Sequence, residues 1–140
     1  MDAVQIRARV LDAIVAHARR ISPEECCGIL IGRSDEQSSE IVDATPARNI
    51  SPRPTVRFLV EPRDHLDALR DARQRNLAVV GFYHSHPRTA PAPSETDLAE
   101  ATYPNHLFLI VGLRAEPPEL RLYRFRDGNF HGVPLVTVAG

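Results

Sequence analysis

Lysine and tryptophan are absent from the 140 residues, methionine occurs once and cysteine only twice. The two cysteines, Cys26 and Cys27, are neighbours. Adjacent residues seldom bridge, because successive side chains on an extended chain point to opposite faces, so a disulfide scaffold is excluded. Two thiols with no second pair also fall short of a cysteine-based zinc site. They read as small apolar residues inside a strand, reduced as in a cytoplasmic protein. No stretch approaches the roughly 18 apolar residues of a membrane span, and Met1-Asp2-Ala3 lacks the basic leader of an export signal. The expectation is a cytoplasmic protein with no membrane partner. All 17 cationic side chains are arginine, set against 18 Asp plus Glu for a net charge of −1. They are scattered along the chain and form no basic stripe, so no nucleic-acid partner is expected. The length fits one domain spanning 1–140, with 43% hydrophobic residues to build its core.

What is present reads as a mixed order of elements. Val4–Arg20 has apolar residues at Val4, Leu11, Ile14, Val15 and Ala18, a helical spacing that Ser22-Pro23 ends. Cys26–Ile31 is a short apolar run expected to be a buried strand. A polar turn over Gly32–Ser39 leads to a second strand, Ile41–Ala47, and Asn49–Pro54 is a loop. Val56–Val60 alternates like a strand. Glu61-Pro62 opens a second helix, with proline at a favourable early position, and His65, Leu66, Leu69 and Ala72 form its stripe. Asn76 is suited to a left-handed cap. Leu77–His84 is another strand, Arg88–Pro93 a proline-rich loop and Ser94–Ala101 a short helix. Leu107–Leu113, Leu120–Arg126 and Phe130–Val136 complete the strands, the last two joined at Asp127-Gly128. The fold class is α/β of an α+β-like kind, a single mixed sheet flanked by helices, without the regular alternation of a doubly wound sheet.

The chemistry concentrates in Gly81-Phe82-Tyr83-His84-Ser85-His86-Pro87, followed by Ser94 and Asp97. His84 and His86 are two apart on a strand, so both imidazoles face one side and suit a shared metal ion. Asp97, on the following helix, is the nearest third ligand. Two histidines and a carboxylate leave a fourth tetrahedral position open, the mark of a catalytic zinc site. Each signal alone has an ordinary reading. His-x-His is usually a pair of exposed or satisfied histidines, and Ser94-Glu95-Thr96-Asp97 matches a helix capping box. His17, His65, His106 and His131 lack ligand spacing; His17 and His65, on helices among charged neighbours, are expected at surface or boundary positions, while His106 precedes a strand and His131 sits in a late one.

Together, His-x-His-Pro, six residues, Ser, two residues and Asp resemble the signature of the JAMM (MPN-plus) zinc metalloproteases. That pattern also calls for an upstream glutamate just before a Gly-hydrophobic run. Glu25-Cys26-Cys27-Gly28-Ile29-Leu30-Ile31 supplies it, and the Glu-x-x-Gly spacing selects Glu25 over Glu24. The resemblance implies a cytidine-deaminase-like architecture and one Zn2+ per chain, held by His84, His86 and Asp97. Zinc-bound water would be the nucleophile, with Glu25 as general base and Ser94 steadying the oxyanion. Whether Ser94 caps the helix, faces substrate or does both stays open. Ala47-Arg48-Asn49, Arg57-Phe58 through Glu61-Pro62, and Tyr83–Pro87 are similar to stand-alone bacterial members that process small ubiquitin-like sulfur carriers. The implied substrate is the Gly-Gly tail of such a carrier, for example releasing cysteine in cysteine biosynthesis. Val56–Val60 and the Arg88–Pro93 loop are the expected groove walls, and a homo-oligomer is compatible with the sequence. Other readings are an isopeptidase on a lysine-linked ubiquitin-like modifier, a non-catalytic MPN-like scaffold, and a RadC-like protein. The scaffold is disfavoured by the intact motif. The RadC-like reading is disfavoured by the missing N-terminal helical region.

Overall fold

The computed structural model describes residues 3–34, 38–94, 96–97, 103 and 105–140. The elements are β1 (Val4–Arg7), α1 (Ala8–Ile21), β2 (Cys27–Ser34), β3 (Ser39–Ala47), α2 (Pro62–Gln74), β4 (Ala78–His86), β5 (Leu107–Gly112), β6 (Glu119–Arg126), β7 (Asn129–Val133) and β8 (Leu135–Val138). The strands form one mixed sheet in the order β7-β6-β5-β4-β2-β3-β1-β8. Pairing is parallel for β1 with β3, β1 with β8 and β4 with β5, and antiparallel elsewhere.

The sheet buries both faces, one under each helix. Val10, Ile14, His17 and Ala18 of α1 are buried at helical spacing. They belong to the side of the core that holds Val4, Ile6, Cys26, Leu30 and Tyr83. On the other side Ala68 and Ala72 of α2 pack with Cys27, Ile29, Ile31, Phe82 and Phe108. Cys26 and Cys27 thus part to opposite faces, both reduced and buried. Burial raises their thiols to about 11 and about 12, so both stay protonated at neutral pH and neither is primed as a nucleophile.

Several elements differ from the sequence expectation. The N-terminal segment is not one helix. Val4 and Ile6 are buried and Gln5 is exposed, a period-two pattern that pairs with β3 and β8 before α1 begins at Ala8. Val56–Val60 is not a strand: 54–56 turn, and the only ladder contact is an isolated bridge between Asn49 and Val60. Its apolar side chains Val56 and Leu59 are about half exposed, with no strand beside them among the described residues. The last strand is two, because Pro134 has no N–H for a ladder. β7 lies at one edge of the sheet and β8 at the other. On α2 it is Ala68 and Ala72 that are buried, while Leu66 and Leu69 are exposed. The turn between β2 and β3 is shorter than expected, since Ser34 already pairs with Ser39. Of the Ser94–Ala101 helix, Thr96 and Asp97 are helical, and 95 and 98–101 lie outside the described residues. No described helix is long and apolar enough to cross a membrane.

His17 is not at the surface. It is buried, and its Nδ1 lies 2.7 Å from the Tyr83 hydroxyl. Burial, with Arg20 adding to it, lowers its pKa, so the ring is held neutral. The Tyr83 ring covers Gly28, where an added Cβ would overlap the Tyr83 ring carbons. The glycine of the Glu-x-x-Gly run is therefore required by its cross-strand partner, since Gly28 and Tyr83 sit in register. Gly28→Ala is expected to destabilise the fold by about 1–3 kcal/mol, as overpacking does. Urea denaturation checks this, and adding Tyr83→Ala should make the Gly28→Ala increment smaller.

Candidate metal centre

β4 and β5 are parallel neighbours, so the chain must cross over between them. The crossover leaves from His86, at the carboxyl end of β4, and carries Ser94 and Asp97 back over the α2 face. His84 and His86 share the face of Phe82, as strand period requires. Their Nε2 atoms are 3.2 Å apart. Asp97 Oδ1 lies 3.3 Å from His84 Nε2, and Oδ2 lies 3.0 Å from His86 Nε2. All three side chains are buried. One ligand atom from each lies within 4.8 Å of the others, a group able to hold a metal ion.

The proton inventory of the cluster favours a cation. His86 Nδ1–H donates to the Ala90 carbonyl at 2.9 Å, because a carbonyl only accepts. In the neutral ring this leaves the Nε2 lone pair facing a carboxylate oxygen at 3.0 Å. Two acceptors at that distance repel unless a proton or metal ion lies between them. A backbone carbonyl fixing the far nitrogen is also the usual support of a metal-ligating histidine. The donor set, two imidazole nitrogens and one carboxylate, therefore fits a divalent transition metal. Electrostatics follow the same logic. Burial lowers His84 against the pull of Asp97. Burial opposes the charged form of His86 too, but Asp97, the Ala90 carbonyl and Glu25 hold it up. Asp97 is buried, yet His84, His86 and the Ser94 N–H hold it well below the usual carboxylate range.

Ser94 and Asp97 cap one another. The Asp97 N–H donates to Ser94 Oγ and the Ser94 N–H donates to Asp97 Oδ2, both at 2.9 Å. This reciprocal pair aims the carboxylate at the histidines. Ser94 is exposed and its hydroxyl proton is not used in the cap, so capping leaves a donor for a second partner.

Glu25 is buried two residues before Cys27, which pairs in register with His84. The pairing extends past the strand end: the Ser85 N–H donates to the Cys26 carbonyl at 3.1 Å and the Cys26 N–H to Ser85 Oγ at 2.8 Å. Alternation then puts Glu25 on the same face as Cys27 and the histidines. The Glu25 backbone is fixed further, its N–H donating to Pro54 and its carbonyl accepting from Asn49 Nδ2 at 3.0 Å.

Two positions gain roles that their residue types did not announce. Phe58 stacks on His84, ring centroids 4.3 Å apart and planes 21° apart. Asn49 holds the loop carrying Phe58. Its Nδ2 also donates to the Arg57 carbonyl, and its Oδ1 accepts from the N–H groups of Ser51 and Leu59. One side chain thus joins the Glu25 backbone to the cover of His84. A turn-forming residue between prolines is the only sequence signal of this. His65 and His106 instead join the aromatic contacts around Phe82, and His131 is exposed.

A strand-borne His-x-His, a capped aspartate on the crossover and a buried glutamate just ahead of the adjacent strand match the class of JAMM-type hydrolytic metalloproteases. Residues 7–126 match the family described as prokaryotic homologues of the JAB domain. The chain is 37% identical to a CysO-cysteine peptidase of Mycobacterium tuberculosis over 134 residues, 95% of this chain and 90% of that protein. It is 34% identical to a desampylase of Haloferax volcanii over 111 residues, 76% of this chain and 78% of that protein. A solution structure from Desulfitobacterium hafniense superposes with a TM-score of 0.90 at 27% identity, covering 98% of this chain and 94% of that one. The chain belongs to the prokaryotic JAB family and is an enzyme of its hydrolytic type.

Asn49→Ala removes four hydrogen bonds from a partly buried amide. At about 0.5–1.5 kcal/mol each, the expected loss is about 2–6 kcal/mol. Chemical denaturation checks the magnitude. Limited proteolysis should locate the first new cleavage between 50 and 60.

Proposed function

We propose that the protein is a zinc peptidase that hydrolyses the bond after the Gly-Gly tail of a small ubiquitin-like sulfur carrier, for example releasing cysteine. The observation that carries the catalytic part is the convergence of His84 Nε2, His86 Nε2 and Asp97, with the far nitrogen of His86 committed to Ala90. His84, His86 and Asp97 would hold the Zn2+. When bound, the ion supplies Lewis acidity and lowers the pKa of a water to about 7. Glu25 then accepts the proton of the attacking water and passes it to the departing amine, a transfer worth about 10²–10⁴ in rate. The Ser94 hydroxyl donates to the developing oxyanion, while its Oγ lone pair keeps Asp97 in place. His86 and Asp97 are held in place by the Ala90 carbonyl on His86 Nδ1 and by the Ser94 N–H on Asp97 Oδ2.

The 37% identity to a CysO-cysteine peptidase over 95% of the chain supports the carrier substrate. Residues released as amino acid or short peptide need only reach the open side of the site. We place the enzyme in the reducing cytoplasm, where two buried free thiols are stable. Hydrolysis of a lysine-linked conjugate is the competing reading, supported by the resemblance to the desampylase.

Metal analysis of the purified protein is expected to give one zinc per chain, with activity lost on chelation and restored by Zn2+. Glu25→Gln should keep the zinc and the fold yet lower kcat by about 10²–10⁴-fold, the general-base contribution. Unchanged kcat would remove Glu25 from the mechanism. Mass spectrometry of a carrier–cysteine adduct should show loss of the cysteine. An intact adduct beside a cleaved lysine-linked conjugate would establish the competing reading.

A further inference from the structure

We propose that Ser85, between the two histidines, is a positioning residue that sets Glu25 against the candidate metal ligands through the backbone of Cys26. This rests on the function proposed above, in which Glu25 moves the proton. β2 starts at Cys27, so Glu25 lies beyond the strand and outside its ladders. Regular pairing of the sheet is therefore not what aligns it.

The register shows what takes the place of that pairing. Cys27 pairs with His84, and continued one step further Cys26 comes opposite Ser85 and Glu25 opposite His86. In a hydrogen-bonded antiparallel pair the two residues exchange both N–H···O=C bonds. Here the Ser85 N–H donates to the Cys26 carbonyl at 3.1 Å, but the return bond from the Cys26 N–H runs to Ser85 Oγ at 2.8 Å. A side-chain oxygen stands in for a carbonyl at the rung beside Glu25. Any residue at 85 brings a backbone N–H and a carbonyl, so the hydroxyl is what serine adds. Ser85 is 0% and Cys26 1% exposed, and bulk water does not compete for this bond.

On its other side Glu25 is tied to the 49–54 segment, its N–H to the Pro54 carbonyl at 2.7 Å and its carbonyl to Asn49 Nδ2 at 3.0 Å. Ser85 supplies a tie to β4, which carries His84 and His86. The proton acceptor and two of the candidate ligands thereby share one reference strand. Glu25 is near enough to His86 to favour its charged form. By strand period the Ser85 side chain leaves the face of the histidines, so it acts through Cys26 and not on the reacting atoms.

Ser85→Val and Ser85→Thr have nearly the same shape and differ in the hydroxyl, so comparing them removes the effect of volume. Both should bind zinc as the unaltered protein does, with similar KM for a carrier–cysteine adduct. Ser85→Thr should exceed Ser85→Val in kcat by about 10–100-fold, the scale of a misplacement of about 1 Å. Ser85→Ala, the smaller change, should fall to the level of Ser85→Val. In a Glu25→Gln background the Thr-to-Val ratio should collapse towards one, because residues that act as a unit are not additive. Hydrogen exchange reads the same tie without catalysis. The Cys26 amide should exchange faster in Ser85→Val than in Ser85→Thr, while the Ile29 and Leu30 amides stay protected in both. Equal kcat in the folded, zinc-loaded Val and Thr variants overturns the positioning role and leaves the peptidase standing. So does a ratio that persists undiminished in the Glu25→Gln background. If Glu25→Gln alone keeps the full kcat, the failure lies in the mechanism on which this proposal rests, and the proposal falls with it.

Discussion

The pairing of β2 with β4 is the constraint on which the site depends. Cys27 opposite His84 fixes the register, and a slip of β2 by one residue would turn Glu25 to the α1 face, away from both histidines. The register is held from both sides of the sheet. On the α1 face, Gly28 lies under the Tyr83 ring, whose hydroxyl reaches His17. On the α2 face, Cys27 and Ile29 pack with Phe82. Beyond the strand end, Ser85 clasps Cys26 through its amide and its hydroxyl. A buried sheet interior thus specifies the geometry of polar groups that by themselves repel, and folding stability underwrites the cluster of acceptors.

A second constraint is the orientation of the three candidate ligands. His86 is fixed by the Ala90 carbonyl and Asp97 by the Ser94 N–H. His84 is held by packing, through the stack with Phe58. The three ligands are oriented by three different means, a loop carbonyl, a helix cap and an aromatic face. Two of these come from the crossover that parallel β4 and β5 make necessary.

Local pattern made the candidate site more legible than its surroundings. Glu25, His84, His86, Ser94 and Asp97 were legible because strand period and fixed spacing are properties of short segments. The second helix was legible from its cap and proline. The N-terminal strand was not, since Val4 and Ile6 run straight into helical spacing and their partners include β8, more than 120 residues away in sequence. Phe130–Val136 looked continuous because Pro134 separates two strands only by sending them to opposite edges of the sheet. Val56–Val60 alternates like a strand, yet no neighbour offers it a ladder, and Asn49 takes up the backbone groups of Arg57 and Leu59. The burial of His17 likewise depends on Tyr83, which is 66 positions away.

The loop tethered by Asn49 has an evolutionary consequence. The candidate metal ligands belong to the sheet and its crossover, where any change of register or volume disturbs the core. Phe58 to Val60, which line a cavity beside His84, belong to a segment with a single ladder contact and a side-chain amide as its anchor. Substitutions in that segment need not propagate into the sheet. Relatives that keep the same sheet and crossover can therefore diverge by redrawing this loop, with the frame that holds the candidate ligands left unchanged.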